Sequence, residues 1–217
     1  MSRRCVVVLG GSFDPIHYGH VALGKHFRSL LAADELRILP AGNPWQKDHL
    51  HADARHRVAM ISCAFDTESI PVTIDQQEIQ RHTATYTIET LRALRTEFGP
   101  EASIVFLIGA DQLQHLNTWH DWQKLFDYAH ICAASRPGFD LDASRVPLAV
   151  ADEFTRRGAT TEQIRQHAAG LTYLAKDMAE DISATAIRKA LLDGKRPENL
   201  VPPAVLDYIE LHHLYKN

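Results

Sequence analysis

The sequence predicts an α/β protein built on a parallel sheet that is covered on both faces. Two observations carry this. Six short apolar runs, rich in β-branched residues, end at glycine, proline or polar punctuation. Between them lie stretches whose apolar residues recur at helical spacing, and near-continuous apolar strands alternating with amphipathic helices mark a sheet buried on both sides.

The elements follow in order. Cys5-Val6-Val7-Val8-Leu9 is the first strand, stopping at Gly10-Gly11, and residues 21–31 follow as a helix. Residues 36–39 form the second strand, residues 55–65 a helix and residues 72–74 a short third strand. Residues 86–98 put Ile88, Leu91, Leu94 and Phe98 on one side of a helix that leads into a strand at 104–108. Residues 119–128 have helical spacing and precede a strand at 131–134. The polar stretch 138–170 carries a helix around 153–169, before a last strand at 171–175. After Ile182 the pattern turns wholly helical, with Ser183 as N-cap, 184–192 as the body and Gly194 just past the end. A final helix starts at Pro202-Pro203 and carries Val205, Leu206, Ile209 and Leu214. No linker, repeat or low-complexity tract interrupts the chain, so a single domain over 1–217 is expected, with a small helical C-terminal subregion at about 182–217.

Composition bounds the function. With 217 residues, 45% hydrophobic and 23% charged, the chain is neither disordered nor collagenous, and a chain of this length can hide roughly 70% of its unfolded surface. Lys plus Arg is 23 and Asp plus Glu is 27, a net charge of −4, which leaves no broad electrostatic footprint for duplex nucleic acid or an anionic membrane. Neither is expected as a partner, so a phosphate-bearing ligand must be held locally. Cys5, Cys63 and Cys132 are odd in number, far apart and set in apolar stretches, as buried free thiols in a reducing, cytoplasmic compartment would be. The first apolar run spans five residues, too short for a signal-peptide core or a membrane span.

Two motifs carry chemistry. The first is Gly10-Gly11-Ser12-Phe13-Asp14-Pro15-Ile16-His17-Tyr18-Gly19-His20, placed between the first strand and its helix. Ligands of open parallel sheets collect at the carboxyl ends of strands, where a helix start offers unpaired N–H groups to an anion. It is neither GxGxxG nor a P-loop. His17 and His20 sit three residues apart at the helix start, and three roles compete: metal ligands, capping or packing residues, and donors to phosphate oxygens. The adjacent glycines favour the last. The second motif is Ile182-Ser183-Ala184-Thr185-Ala186-Ile187-Arg188, read either as a plain N-cap with a surface arginine or as a second phosphate site with two hydroxyls and a guanidinium. Two such helix starts suit a triphosphate. Lys47 lies in the loop after the second strand and so on the same sheet edge, as a solvated loop lysine or as a further phosphate contact.

These residues resemble the nucleotidyltransferase superfamily that carries HxGH on a Rossmann-like doubly wound parallel sheet and an ISxTxxR-type motif near the C-terminus. Within it, the chain resembles the bacterial nicotinate-nucleotide adenylyltransferases. Matching elements run from residue 5 to the last helix and include Tyr86-Thr87-Ile88-Glu89-Thr90-Leu91, Gly109-Ala110-Asp111, Thr118-Trp119 and Arg136-Pro137-Gly138. The resemblance implies transfer of AMP from ATP to nicotinate mononucleotide in NAD biosynthesis, with Mg²⁺ carried mainly by phosphate and water. It implies that Gly10, Gly11, Ser12, Phe13, Gly109, Asp111, Ile182, Ser183 and Thr185 bind ATP, and that His17, His20, Lys47 and Arg188 act on the phosphates. Tyr86, Thr87 and Trp119 would hold the nicotinate nucleotide, the indole stacking on the pyridine ring. The family loop usually reads Pro-Pro-His, whereas this chain has Pro44-Trp45-Gln46-Lys47.

Three rivals stand beside this reading. Adenylyl or cytidylyl transfer to another phosphate acceptor, such as nicotinamide mononucleotide or phosphopantetheine, keeps both phosphate motifs. A nucleotide-sensing module keeps the fold without turnover. A dinucleotide-dependent oxidoreductase would need GxGxxG and an acidic residue ending the second strand, where this chain has Leu39-Pro40. Helix faces that pack on a sheet and faces that pack on a second copy look alike in sequence, so a homo-oligomer stays open.

Overall fold

A computed structural model describes residues 3–42, 50–66, 71–81, 83–135, 141, 145–176 and 182–216. Among the described residues six strands form one sheet: β1 (Cys5–Gly11), β2 (Glu35–Pro40), β3 (Thr73–Ile74), β4 (Ser103–Gly109), β5 (His130–Ala134) and β6 (Thr172–Ala175). They lie in the order β3-β2-β1-β4-β5-β6, and every pairing is parallel. This is the doubly wound order, with the winding direction reversing between β1 and β4. All six expected strands are present.

Side chains on each strand alternate between two cores, as the two-residue period of a strand demands. Cys5, Val7 and Leu9 of β1 face one core together with Val105 and Leu107 of β4. Helices α1 (Tyr18–Leu30), α2 (Ala54–Asp66), α6 (Ala184–Leu192) and α7 (Pro203–Leu211) close that face with Phe27, Met60, Ile187 and Leu206. Val6 and Val8 face the other core with Ile104 and Phe106. There α3 (Thr87–Phe98) contributes Ile88, Leu91 and Leu94, and α4 (Leu148–Arg156) contributes Val150 and Phe154. Cys5 and Cys132 are buried as expected, whereas Cys63 is only half-buried; all three are free thiols.

Three boundaries differ from expectation. The stretch 119–128 is not one helix: a 3-10 turn spans Trp122–Asp127, because Trp119 is extended and Asp121 takes a left-handed backbone at φ 51°. The helix expected over 153–169 is two, α4 and α5 (Thr161–Gln166). The break lies at Gly158, which bridges to Thr172, and Thr160 then starts α5 with a capping box to Gln163. Leu214 lies beyond the end of α7, where His212 is the C-cap.

The edge away from the strand carboxyl ends is tied by side chains to backbone carbonyls. The Arg95 guanidinium donates to the carbonyls of Gly99, Ala102, Tyr128 and Ala168, joining α3 to the approaches of β4 and β5. His130 is fully buried at the start of β5. Its Nδ1 accepts from the Leu171 N–H at 3.1 Å, so the ring proton lies on Nε2 and is donated to the His167 carbonyl at 2.9 Å. Burial of this neutral ring pushes its pKa down to about 4 from 6.5.

Between those two values the unfolded chain binds a proton at His130 that the native state does not, so stability falls as pH falls through that window. Urea unfolding at pH 7 and pH 5 is expected to show a smaller acid loss for His130→Gln than for the native chain. Equal losses would remove His130 from the account of acid sensitivity.

Candidate active site

A cleft of about 660 Å³ opens at the carboxyl ends of β1 and β4, where the winding reverses. Gly10, Gly11, Ser12, Phe13, His17, His20, Gly109, Asp111, Thr87, Trp119, Ile182, Thr185 and Arg188 all line it. Two expected residues do not: Tyr86 and Ser183 lie outside the lining. Lys47 falls outside the described residues, but Ala41 and Leu50, on either side of 43–49, both line the cleft.

The first motif leaves β1 and turns sharply through Phe13, whose backbone is left-handed at φ 49°. The two glycines serve this turn in a way spacing does not reveal. A Cβ on Gly10 would lie 2.9 Å from the Phe106 ring, and one on Gly11 would lie 2.9 Å from the Phe13 ring. Aromatic rings fill the space beside both glycines.

His17 is the N-cap of α1 and His20 stands three residues on, their rings stacked 3.7 Å apart at 27°. The His17 N–H donates to His20 Nδ1 at 3.3 Å, so the proton of a neutral His20 ring sits on Nε2. Gly19 makes room for this pair, since a Cβ there would come within 3.2 Å of the His17 ring. The two imidazoles therefore face the cleft as one stacked unit at a helix N-terminus.

The second motif meets the first across the cleft. Ser183 caps α6, its hydroxyl accepting from the Ala186 N–H at 3.5 Å, which is the plain N-cap role. Arg188 reaches back to the first motif, donating from Nη1 to the Asp14 carbonyl at 2.6 Å and from Nη2 to the Thr185 hydroxyl at 3.3 Å. On the opposite wall, Gly109 and Asp111 start the turn after β4, and Asp111 is exposed. Trp119 packs edge-on against Phe106 at 6.5 Å between centroids, and its Nε1 is buried with no hydrogen-bond partner among the described residues. Tyr86 is the N-cap residue of α3 and its ring leans on His120 at 4.9 Å.

The cytidylyltransferase-like family model matches residues 8–190. A protein of Herminiimonas arsenicoxydans named a probable nicotinate-nucleotide adenylyltransferase is 64% identical over 214 residues, covering 99% of this chain and 98% of the relative. A probable nicotinate-nucleotide adenylyltransferase of Laribacter hongkongensis is 42% identical, covering 100% of this chain and 97% of the relative. The chain belongs to the nicotinate-nucleotide adenylyltransferase family. A solved nicotinic acid mononucleotide adenylyltransferase of Plasmodium falciparum, complexed with NaAD, superposes with a TM-score of 0.75 at 20% identity, over 98% of both chains. That likeness is one of fold.

The adenylyltransferase cleft also contains residues that sequence spacing did not single out. Asp14 lies inside the first motif and is 4% exposed, and Glu78, Thr85, His51 and Phe106 join it in the lining. Glu78 accepts from the Thr90 hydroxyl at 2.8 Å and from the Gly42 N–H at 3.4 Å, and burial raises its carboxyl above the usual range. It thus ties the exit of β2 to α3. Arg57, 2% exposed on α2, donates to the Ser12 carbonyl at 2.9 Å and so braces the first motif. Glu78 lies in no run with a recognisable period, Arg57 lies on the expected helix 55–65 but in neither motif, and Asp14 had a signal in its place within the first motif.

Gly42 admits no side chain, since a Cβ there would lie 2.0 Å from the Glu78 carbonyl oxygen, which is backbone and cannot swing aside. Gly42→Ala is expected to cost about 1–3 kcal/mol of stability, the usual scale for an overpacked site. It should also lower kcat/KM about tenfold, by displacing Ala41 and Glu78, which line the cleft. Native behaviour in both denaturation and kinetics would show that the backbone absorbs the change.

Proposed function

We propose that this cleft joins ATP to nicotinate mononucleotide, giving nicotinate adenine dinucleotide and pyrophosphate, as the family name states. A 5′-phosphate oxygen of the mononucleotide attacks the α-phosphorus of ATP, the new P–O bond forms, and the bond to the β-phosphate bridging oxygen breaks. No covalent enzyme intermediate is needed, because positioning and charge stabilisation supply the rate. The observation that carries this reading is the stacked His17–His20 pair at the start of α1, lining one cleft with Arg188 at the point where the winding reverses.

His20 offers its Nε2–H, and His17 its ring edge, to oxygens that gain charge as the α-phosphorus is attacked. Arg188, fixed at one end on the Asp14 carbonyl, has donors left for the departing pyrophosphate. Lys47 is proposed to join it from 43–49. Gly10, Gly11, Ser12, Phe13, Gly109, Asp111, Ile182 and Thr185 form the ATP wall, while Ser183 acts by starting α6 in the right direction. Thr87 and Trp119 hold the nicotinate nucleotide, and Tyr86 supports them from behind through His120. Mg²⁺ is proposed to arrive with the triphosphate and to neutralise its charge. Among the described residues no three His, Cys, Asp or Glu side chains gather as a metal cage, and an ion whose shell is phosphate oxygen and water fits such a cleft. No helix of the described residues is long and apolar enough to cross a membrane.

Pyrophosphate release with ATP and Mg²⁺ tests the substrate, with nicotinate mononucleotide, nicotinamide mononucleotide and phosphopantetheine compared as acceptors. Selective release with the first, together with the dinucleotide product, is expected; release only with another acceptor would discard the role given to Thr87 and Trp119. His20→Ala should lower kcat about 10²-fold, the scale for one preorganised donor to developing charge. Near-native turnover in a folded His20→Ala protein would rule that role out. Trp119→Ala should raise KM for the mononucleotide about tenfold or more, on the scale of a lost stacking contact, with KM for ATP changed far less.

A further inference from the structure

The Asp14 carboxylate does more than close a turn. Its Oδ2 accepts from the His51 N–H at 2.7 Å, and its Oδ1 accepts from the Ala52 N–H at 3.1 Å and from the Tyr215 hydroxyl at 2.7 Å. His51 and Ala52 are where the chain returns after 43–49, and Tyr215 lies 201 residues away in the turn that follows α7. The Asp14 carbonyl, meanwhile, accepts from Arg188 at 2.6 Å. One residue of the first motif is thus bonded on three sides, to His51 and Ala52, to Tyr215 and to Arg188.

Two backbone strains converge on it. Phe13, immediately before Asp14, has φ 49°, and Tyr215, whose hydroxyl meets the carboxylate, has φ 61°. Bulky residues avoid this left-handed region, and such strain persists where surrounding contacts over-determine it, commonly at functional sites. The phenol also stays a neutral donor, since burial raises its pKa and the nearby Asp14 charge raises it further.

We propose that Asp14 and Tyr215 are a positioning pair for the adenylyl transfer, in which Tyr215 locks the first motif, His51 and Ala52, and Arg188 into one arrangement. The inference rests on the reading of Arg188 and His17 as phosphate-facing groups. Neither member of the pair is a catalytic residue: each acts through the groups it holds. A misplacement of about 1 Å in such groups costs rate on the order of 10²-fold, and it does so in kcat more than in substrate affinity when the groups act on developing charge.

The test uses the full chain with Tyr215→Phe, Asp14→Asn and the double variant. Tyr215→Phe keeps the ring and removes only the hydroxyl, so it folds if the pair is not itself the fold's anchor. It should lower kcat about tenfold with KM for ATP within about twofold. Asp14→Asn puts an NH₂ group against donors and should lower kcat further. The double variant should be no worse than Asp14→Asn alone, because coupled partners are not additive. Hydrogen exchange supplies a reading independent of acceptor: residues 10–20 and the amides of His51 and Ala52 should exchange faster in Tyr215→Phe. Native kcat in Tyr215→Phe, even with a lowered Tm, overturns the proposal, as does native exchange in those segments. If the wild-type chain turned over only another acceptor, the substrate reading would fail and the pair would be judged on that acceptor. If it turned over none, hydrogen exchange alone would decide.

Discussion

The structure depends on one strand buried on both faces. β1 pairs with β2 on one side and β4 on the other, and its side chains alternate into the two cores. Such a strand has no polar face to spare, so its ladder must be complete and the chain can change direction only at its ends. All parallel strands therefore deliver their turns to the same edge of the sheet. Because the chain winds one way from β1 and the other way from β4, those turns part there, and the gap between them is the cleft.

That geometry explains how a chain of net charge −4 offers a site for a polyphosphate. The starts of α1, α3 and α6 all bring lining residues to the cleft, so backbone N–H groups and two imidazoles supply local donors without a basic surface. Donors of this kind are fixed before the ligand arrives, which is what stabilising developing charge requires. The aromatic rings of Phe13 and Phe106 seat against the glycines and so hold the loop close to the sheet.

Local chemistry was readable where it acts over a few residues. Strand runs, the Ser183 cap and the body of α6 followed from period and capping, because both are properties of a short backbone segment. The stretch 119–128 misled because its spacing fits a helix while Asp121 adopts a left-handed backbone that ends one. The split between α4 and α5 was hidden for a different reason: Gly158 leaves the helix to bridge to Thr172, a partner that exists only once β6 is in the sheet.

The class of fold, the two motifs at helix starts and, through resemblance, the family were legible along the chain. Those depend on residue types at fixed short spacings. Packing between elements set the rest: His17 and His20 stack, Arg188 rests on the Asp14 carbonyl, Glu78 clasps Gly42 and Tyr215 reaches Asp14. Each of the last three joins groups on different elements, from 36 to 201 residues apart, and the His stack depends on the rotamers that packing allows. Buried polar groups must find partners wherever packing puts them, and a linear pattern records neither the distance nor the direction of such a bond.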